Sequence, residues 1–369
     1  MPQLNGLRAL CVLVVIFHHW TGAFVHFRFP FEAGAFFFFV LSGFLITRIL
    51  LHAKENSDSL PQTYRNFIIR RSLRIFPGYF LILFIHLLLN QADIRDSFLW
   101  YLSGLVNINF AINGWQGGAD QFWTLAIEQQ FYILWGIALL VLPRKLAIPF
   151  LWLTLILPTA ARSLPGFVGP NPLSSALRPD TFFGHELAMT GKLTWNAFDY
   201  IAAGCLYAFA RHEQWTVPRR PALFIGSLSA LLYLVVRTGY CDHFLPSQAK
   251  ALQQLFLIIG TVWIIHLASH DIPGIIGKAL EHPLMQSIGT KSYGLYLYHN
   301  LVAGLFYMAF IQHKIDMAWF PLIFLLCTGI VWGLASLSWK YLEEPIYNQK
   351  SKFPYTQRKE KTPPQLTPR

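Results

Sequence analysis

The sequence predicts an all-α integral membrane protein of about ten transmembrane helices, with both termini in the cytoplasm. Composition is the first reason. Of the 369 residues 54% are hydrophobic and 13% are charged, where a soluble domain carries roughly 25% charged residues. A globular enzyme of this length could not clothe its surface with so few charges. The second reason is that apolar segments of spanning length, about 17–25 residues, recur along the chain. The third is the side to which Lys and Arg fall. The 12 Trp, 15 Tyr and 32 Phe suit a lipid-facing surface with aromatic belts at its interfaces.

The first span, 8–25, lacks a small-residue cleavage pattern and is followed at once by further spans. It is therefore expected to be a retained helix rather than a secretory signal. The second, 33–51, carries FFFFVLSGFLIT. A polar loop, 52–74, with Lys54, Arg65, Arg70, Arg71 and Arg74, leads into 75–91. A weaker stretch, 97–112, reads as an eleventh span or an interfacial segment. Next come 122–142 and the short 146–162, then a long Pro- and Gly-bearing loop, 163–194, holding Arg178, Asp180, His185 and Glu186. Loops of that length in a compact domain are functional or disordered. The spans 195–210 (also short), 222–238, 252–269, 292–312 and 319–341 complete the ten. One membrane domain thus covers 1–346. The basic, Pro-bearing tail 347–369 is expected to be disordered.

Charge chooses the count. With ten spans and an inside N-terminus, 21 of the 29 Lys and Arg fall on the cytoplasmic side and 8 outside. Counting 97–112 as a span reverses every later loop and leaves 13 inside against 16 outside. The positive-inside rule selects ten. The formal charge of +11 then reflects topology and anionic lipid; the basic residues form no compact domain that would bind nucleic acid. Cys11, Cys205 and Cys327 lie in apolar segments and Cys241 has no evident partner, so neither disulfides nor a metal site are expected. There is no internal repeat.

Ionisable residues at membrane depth mark functional sites by default. Arg8 and His19 share the first span. Eleven helical steps advance about 16 Å and return to within about 20° of the same face. A histidine so placed can act as a general base, although His19 could equally bond a neighbouring helix and Arg8 could simply obey the charge rule. His18 points about 100° away and suits a structural role. Glu128, in FWTLAIEQQFYILWG, lies about six residues from the external end of its span, as His19 does from its own. The two are therefore expected at similar depth, where Glu128 could orient the His19 ring. Arg70, Arg71 and Arg74 form a cationic cluster suited to phosphate or to lipid headgroups. Ser42 and Gly43 suit close helix packing. Tyr293, Tyr296 and His299 are interfacial anchors or pocket lining. Ser42, Tyr132, Tyr296 and His299 stand as possible pocket residues.

Taken together and in this order, the segments resemble the acyltransferase-3 family of multi-pass membrane acyltransferases. The matching stretches are NGLRALCVLVVIFHH, FFFFVLSGFLIT, RRSLRIFPGYF, FWTLAIEQQFY, SYGLYLYH and WKYLEEPI, spread from Asn5 to Ile346. The family's arginine and histidine, ten residues apart in the first helix, fall on Arg8 and His19. Its glutamate after a WSL-like run falls on Glu128, and its arginines before the third helix fall on Arg71 and Arg74. An acidic residue often precedes the FFVLSGF run; here Gly34-Ala35-Phe36 stands instead, which weakens any role for a carboxylate there. No soluble esterase-like domain of the kind some relatives carry is expected, so the chain would act alone or with a helper.

The resemblance implies transfer of an acyl group, acetyl above all, from cytoplasmic acyl-CoA to a hydroxyl of a carbohydrate-containing acceptor. Surface polysaccharides, lipid-linked sugars and, in some relatives, glycosylated natural products are the acceptors implied, and the setting is the cytoplasmic membrane of a bacterium. Acyl-CoA would be a co-substrate, with no cofactor bound permanently and no metal. Arg8, Arg71 and Arg74 would hold the CoA phosphates, His19 would be the base, Glu128 would orient it, and loop 163–194 would help bind the acceptor. Ser42 would be the nucleophile if an acyl-enzyme forms. The competing reading is a transporter or flippase moving a charged or glycolipid substrate past the buried His and Glu. It calls for broken helices or paired repeats, and the sequence has neither.

Overall fold

Segments that are apolar almost all round have no face to give to water, so they pack side by side within lipid. The structure, a computed structural model, describes residues 1–21, 33–114, 119, 121–163, 181–182, 185–186, 192–215, 217–239, 248–313 and 315–355. The chain opens with α1 (Pro2–Thr21), α2 (Ala33–Glu55) and α3 (Leu60–Leu88), followed by three short helices, α4 (Ala92–Asp96), α5 (Phe98–Ser103) and α6 (Val106–Asn113). After α7 (Phe122–Val141) and α8 (Arg144–Ser163), two-residue strands β1 (Thr181–Phe182) and β2 (His185–Glu186) pair antiparallel. Then come α9 (Phe198–His212), α10 (Arg219–Arg237), α11 (Ala249–Ser269), α12 (Gly274–Glu281), α13 (Pro283–Thr290), α14 (Ser292–Tyr307) and α15 (Phe320–Ser338). A π-helical turn (Trp339–Glu343) and α16 (Glu344–Tyr347) close the bundle.

Among the described residues, seven helices are long and apolar enough to cross a membrane: α1, α2, α7, α8, α10, α11 and the one that begins before α15 and runs to Lys352. The other three expected spans, 75–91, 195–210 and 292–312, fall on α3, α9 and α14. α9 and α14 are short, at 15 and 16 residues, and they turn polar groups such as Asp199 and His299 into the bundle interior. The stretch 97–112 is broken between α5 and α6, where Gly104 takes φ +70°. Helices of six and eight residues reach only about 9 and 12 Å, too short for a hydrocarbon core of about 30 Å.

Two expected loops are different in the structure. Most of 52–74 is helix, because α3 starts at Leu60; its 29 residues run about 44 Å, longer than the hydrocarbon core. Thr63, Asn66 and Phe67 are buried, so the polar start of α3 packs on protein. It packs on Gly136 of α7 through Phe67, and on residues 347–355 of the tail. Asn66 Nδ2 donates to the Pro354 carbonyl at 2.7 Å, Arg70 donates to the Phe353 carbonyl at 3.2 Å, and the Arg70 guanidinium lies 4.1 Å from the Tyr355 ring centre. Basic composition suggested a free tail, but side chains of α3 satisfy its backbone carbonyls. Residues 356–369 lie outside the described residues, as do most of loop 163–194, including Arg178 and Asp180, and the side chains of His185 and Glu186.

α2 is the helix around which its neighbours are set. A Cβ on Gly204 of α9 would lie 1.9 Å from the Val40 carbonyl oxygen, and one on Gly43 would lie 2.2 Å from that of Ile201. The two backbones therefore touch. On another side, Trp135 of α7 donates to Thr47 Oγ1 at 2.8 Å, and Lys54 Nζ donates to the carbonyls of Leu139 and Leu142, each at 2.8 Å. That lysine satisfies carbonyls at the C-terminal end of α7.

Gly204→Ala is expected to cost about 1–3 kcal/mol by forcing the helices apart, read as a lower melting temperature in detergent. Gly329, which has nothing within 4 Å of an added Cβ, is the control: Gly329→Ala should change stability by less than about 0.5 kcal/mol. Equal effects at the two positions would contradict the close crossing.

Candidate active site

Lipid offers no partner to an ionised group, so charged side chains at depth face one another or a cavity. A cavity of 410 Å³ lies between α1, α2, α3, α7 and α14. Its lining on α2 runs from Ala35 to Ile46, about 16 Å along the helix axis. One end holds Arg71, Arg74, Trp339 and Tyr347; the other holds Ala35, Thr124 and Tyr296.

The position of Arg8 follows from helix register. Arg48 reaches the sulfur of Met1 at 3.3 Å, and Gly34 abuts the carbonyl of Cys11. α1 and α2 therefore run antiparallel, and Arg8 comes level with about Phe38, one turn from Ser42. Ser42 Oγ donates to Glu128 Oε1 at 2.7 Å, and the Tyr132 hydroxyl donates to Oε2 at 3.3 Å. Glu128 thus belongs to the level of Arg8, with which it shares the cavity. Ser42 and Gly43 divide the work of α2: the glycine meets α9, while the serine, 100° round the helix, meets the carboxylate.

His19 stands about 16 Å further along α1, so it is not level with Glu128 as expected. Counting from apparent span ends misjudged the depth: Gln121 bonds Asn300 and the Leu297 carbonyl, so the His299 that meets His19 is level with Gln121, while Glu128 lies about 10 Å further along α7. The partner of His19 is a second imidazole. His19 Nδ1 lies 2.7 Å from His299 Nε2, and His299 Nδ1 lies 2.7 Å from the Tyr296 carbonyl oxygen. A carbonyl only accepts, so His299 carries its proton on Nδ1 and presents a lone pair at Nε2. His19 then donates from Nδ1, which leaves its Nε2 as the basic nitrogen. His299 is fully buried, whereas His19 is exposed. His18 is half-buried, its ring centre 5.8 Å from that of His19. The Tyr296 hydroxyl meets Thr124 Oγ1 at 2.6 Å, which brings this polar chain to the upper end of the cavity.

The three clustered arginines separate. Arg70 turns to the tail, while Arg71 and Arg74 line the cavity. Arg74 donates to the Thr290 carbonyl at 3.0 Å and stacks 4.5 Å from the Trp339 ring and 5.5 Å from that of Tyr347. Arg71 Nε and Arg74 Nη1 are buried without an acceptor. Such donors cost about 1–3 kcal/mol each and favour an entering anion, which would form charge-assisted bonds with them.

Trp339 and Tyr347 were not singled out from sequence. For Trp339 the signal was there in WKYLEEPI, whose polar and aromatic residues interrupt the end of an apolar helix; Tyr347 follows directly after it. Behind them Glu343 is buried, accepting from Ser338 Oγ at 2.8 Å, and Ser338 meets the Tyr298 hydroxyl at 2.7 Å.

Residues 1–338 match the acyltransferase domain of the acyltransferase-3 family. Among similar proteins, peptidoglycan O-acetyltransferase OatA of Listeria monocytogenes is 28% identical over 94% of this chain and 56% of its own length. YrhL of Bacillus subtilis, provisionally named as a peptidoglycan O-acetyltransferase, is 27% identical over 95% of this chain and 55% of its own. The chain spans about half the length of the curated relatives it matches. No solved structure matches it.

If Arg71 and Arg74 hold an anion, each alanine variant should weaken pyrophosphate binding by at least about tenfold, from the 1.5–3 kcal/mol of a hydrogen bond to a charged group. Arg70→Ala should leave it unchanged. Isothermal titration of the purified protein distinguishes the three, and equal losses would place the anion elsewhere.

Proposed function

The chain belongs to the acyltransferase-3 family, and we propose that it is a membrane-bound O-acyltransferase. It would move an acyl group, acetyl first among the candidates, from acyl-CoA to a hydroxyl of a carbohydrate-containing acceptor. The names of the relatives suggest a surface polysaccharide as that acceptor. The observation that carries the reading is a single cavity. It begins at Arg71 and Arg74 and ends at Tyr296, one helical turn from the His299 that meets His19. An anion grip thus stands at one end of the cavity, and the proposed base stands one side chain beyond the other end.

We infer ten spans with both termini in the cytoplasm of a bacterium. Support comes from the helical state of all ten expected segments, from the break at Gly104, and from the positive-inside count. On that orientation Arg71 and Arg74 face the cytoplasm and would hold the CoA phosphates, with Arg8 a turn further in. His19 faces the outer side, where loop 163–194 and the acceptor would lie.

The chemistry follows from the tautomer. His19 Nε2 takes the proton of the acceptor hydroxyl as its oxygen attacks the thioester carbonyl. The tetrahedral intermediate collapses with cleavage of the carbon–sulfur bond, and the thiolate leaves with the proton returned by the imidazolium. His299 keeps Nδ1 of His19 occupied, so that the base works from Nε2. In this reading Glu128, held by Ser42 and Tyr132, balances the cations in the cavity instead of orienting His19.

His19→Ala should lower acetyl transfer from acetyl-CoA by about 10²–10⁴-fold, the usual weight of a general base. His18→Ala should spare it. His299→Ala should cost less than His19→Ala and should displace the pH–rate profile, which mere loosening of the helix would not do. Transfer is read as acetylated surface glycan by mass spectrometry. Full activity in His19→Ala would overturn the assignment.

A further inference from the structure

A second cavity, of 590 Å³, is separate from the site above. It is a groove between α8 and α10 with α9 and α11 as its floor. Its walls are almost wholly apolar, with Trp152, Leu206 and Ile258 among them. On α11 the lining runs from Leu255 to His266, about 16 Å, or half of a hydrocarbon core about 30 Å thick. The groove therefore has the depth of one leaflet.

Its polar groups gather at one end. There the Tyr207 hydroxyl lies 3.1 Å from His266 Nδ1, Arg211 is hydrogen-bonded to His270, and Arg144 lies 3.5 Å from Glu213. Arg144 and Arg211 thus stand beside this end, against a single carboxylate of the lining, Glu213. One turn inward from His266, the indole Nε1 of Trp263 is buried without an acceptor. Buried polar groups are nearly always hydrogen-bonded, so such an orphan needs an explanation. Cations, then an unpaired donor, then an apolar channel follow the order of phosphate, ester carbonyl and acyl chain in a glycerophospholipid.

We propose that this groove binds one anionic glycerophospholipid of the leaflet on the Arg144 side. Its phosphate meets Arg211 and its neighbours, an ester carbonyl accepts from Trp263, and one acyl chain fills the channel. The proposal does not depend on the reaction carried out in the first cavity.

The test is native mass spectrometry of the full chain, released from detergent micelles containing equal amounts of phosphatidylglycerol and phosphatidylcholine. One phosphatidylglycerol should be retained per chain, at least fivefold over phosphatidylcholine. Arg211→Gln should remove that preference, and Ala222→Phe, which fills the groove near its mouth, should remove the lipid. Melting temperature reports whether each variant is folded; either variant suffices, so a fold lost in one leaves the other to decide. Equal retention of the two lipids by the unaltered protein overturns the proposal. So does undiminished phosphatidylglycerol in a folded variant, or retention of an isoprenoid phosphate in its place.

Discussion

A carboxylate in the middle of a bilayer must be hydrogen-bonded and charge-balanced, and that constraint on Glu128 organises the bundle. Desolvating an ion costs several kcal/mol even after relaxation, so Glu128 is stable only where other chains bring donors and cations to it. Ser42 and Tyr132 supply the donors, and Arg8 and Arg71 share its cavity. Four helices are committed to one level by that requirement. The close crossing of α2 and α9 at Gly43 and Gly204 then fixes the rotation of α2, which decides that Ser42 faces inward.

The same economy of polar groups explains why the histidines lie where they do. His299 is buried and has one carbonyl within reach on its own helix. That carbonyl determines its tautomer, and His299 in turn determines the tautomer of His19. Glu128 and Glu343 stand where arginines can answer them, Glu128 beside Arg8 and Arg71 and Glu343 behind Arg74. The two cavities show a similar separation: one mixes charge and aromatic rings along its length, and the other confines its polar groups to a rim and is otherwise oil-like.

Much was legible from sequence because the bilayer is a severe solvent. Low charge, recurring apolar segments and the side of the basic residues led to a helical membrane bundle, and helices stand at all ten expected segments. Arg8, Ser42, Arg71, Arg74, Glu128, Tyr132 and Tyr296 do meet around one cavity. Depth was misjudged for Glu128 and His19, because hydropathy blurs helix ends by several residues and each residue is about 1.5 Å of height. Residues 347–355 of the tail and the start of α3 were misread for a related reason. Polar composition describes a segment's own chemistry and not the neighbour that satisfies it.

What the sequence by itself determined was the class of environment: which segments must avoid water, and which costly residues must therefore have partners. Those follow from transfer energies, which are local properties of each side chain. The choice of partner was decided only in the tertiary structure. That His19 pairs with His299, that Glu128 pairs with Ser42, and that Arg70 leaves the cluster its neighbours form all depend on helix rotation and register. Rotation and register are set by packing between distant segments, such as Gly43 on Gly204, and no local pattern encodes them.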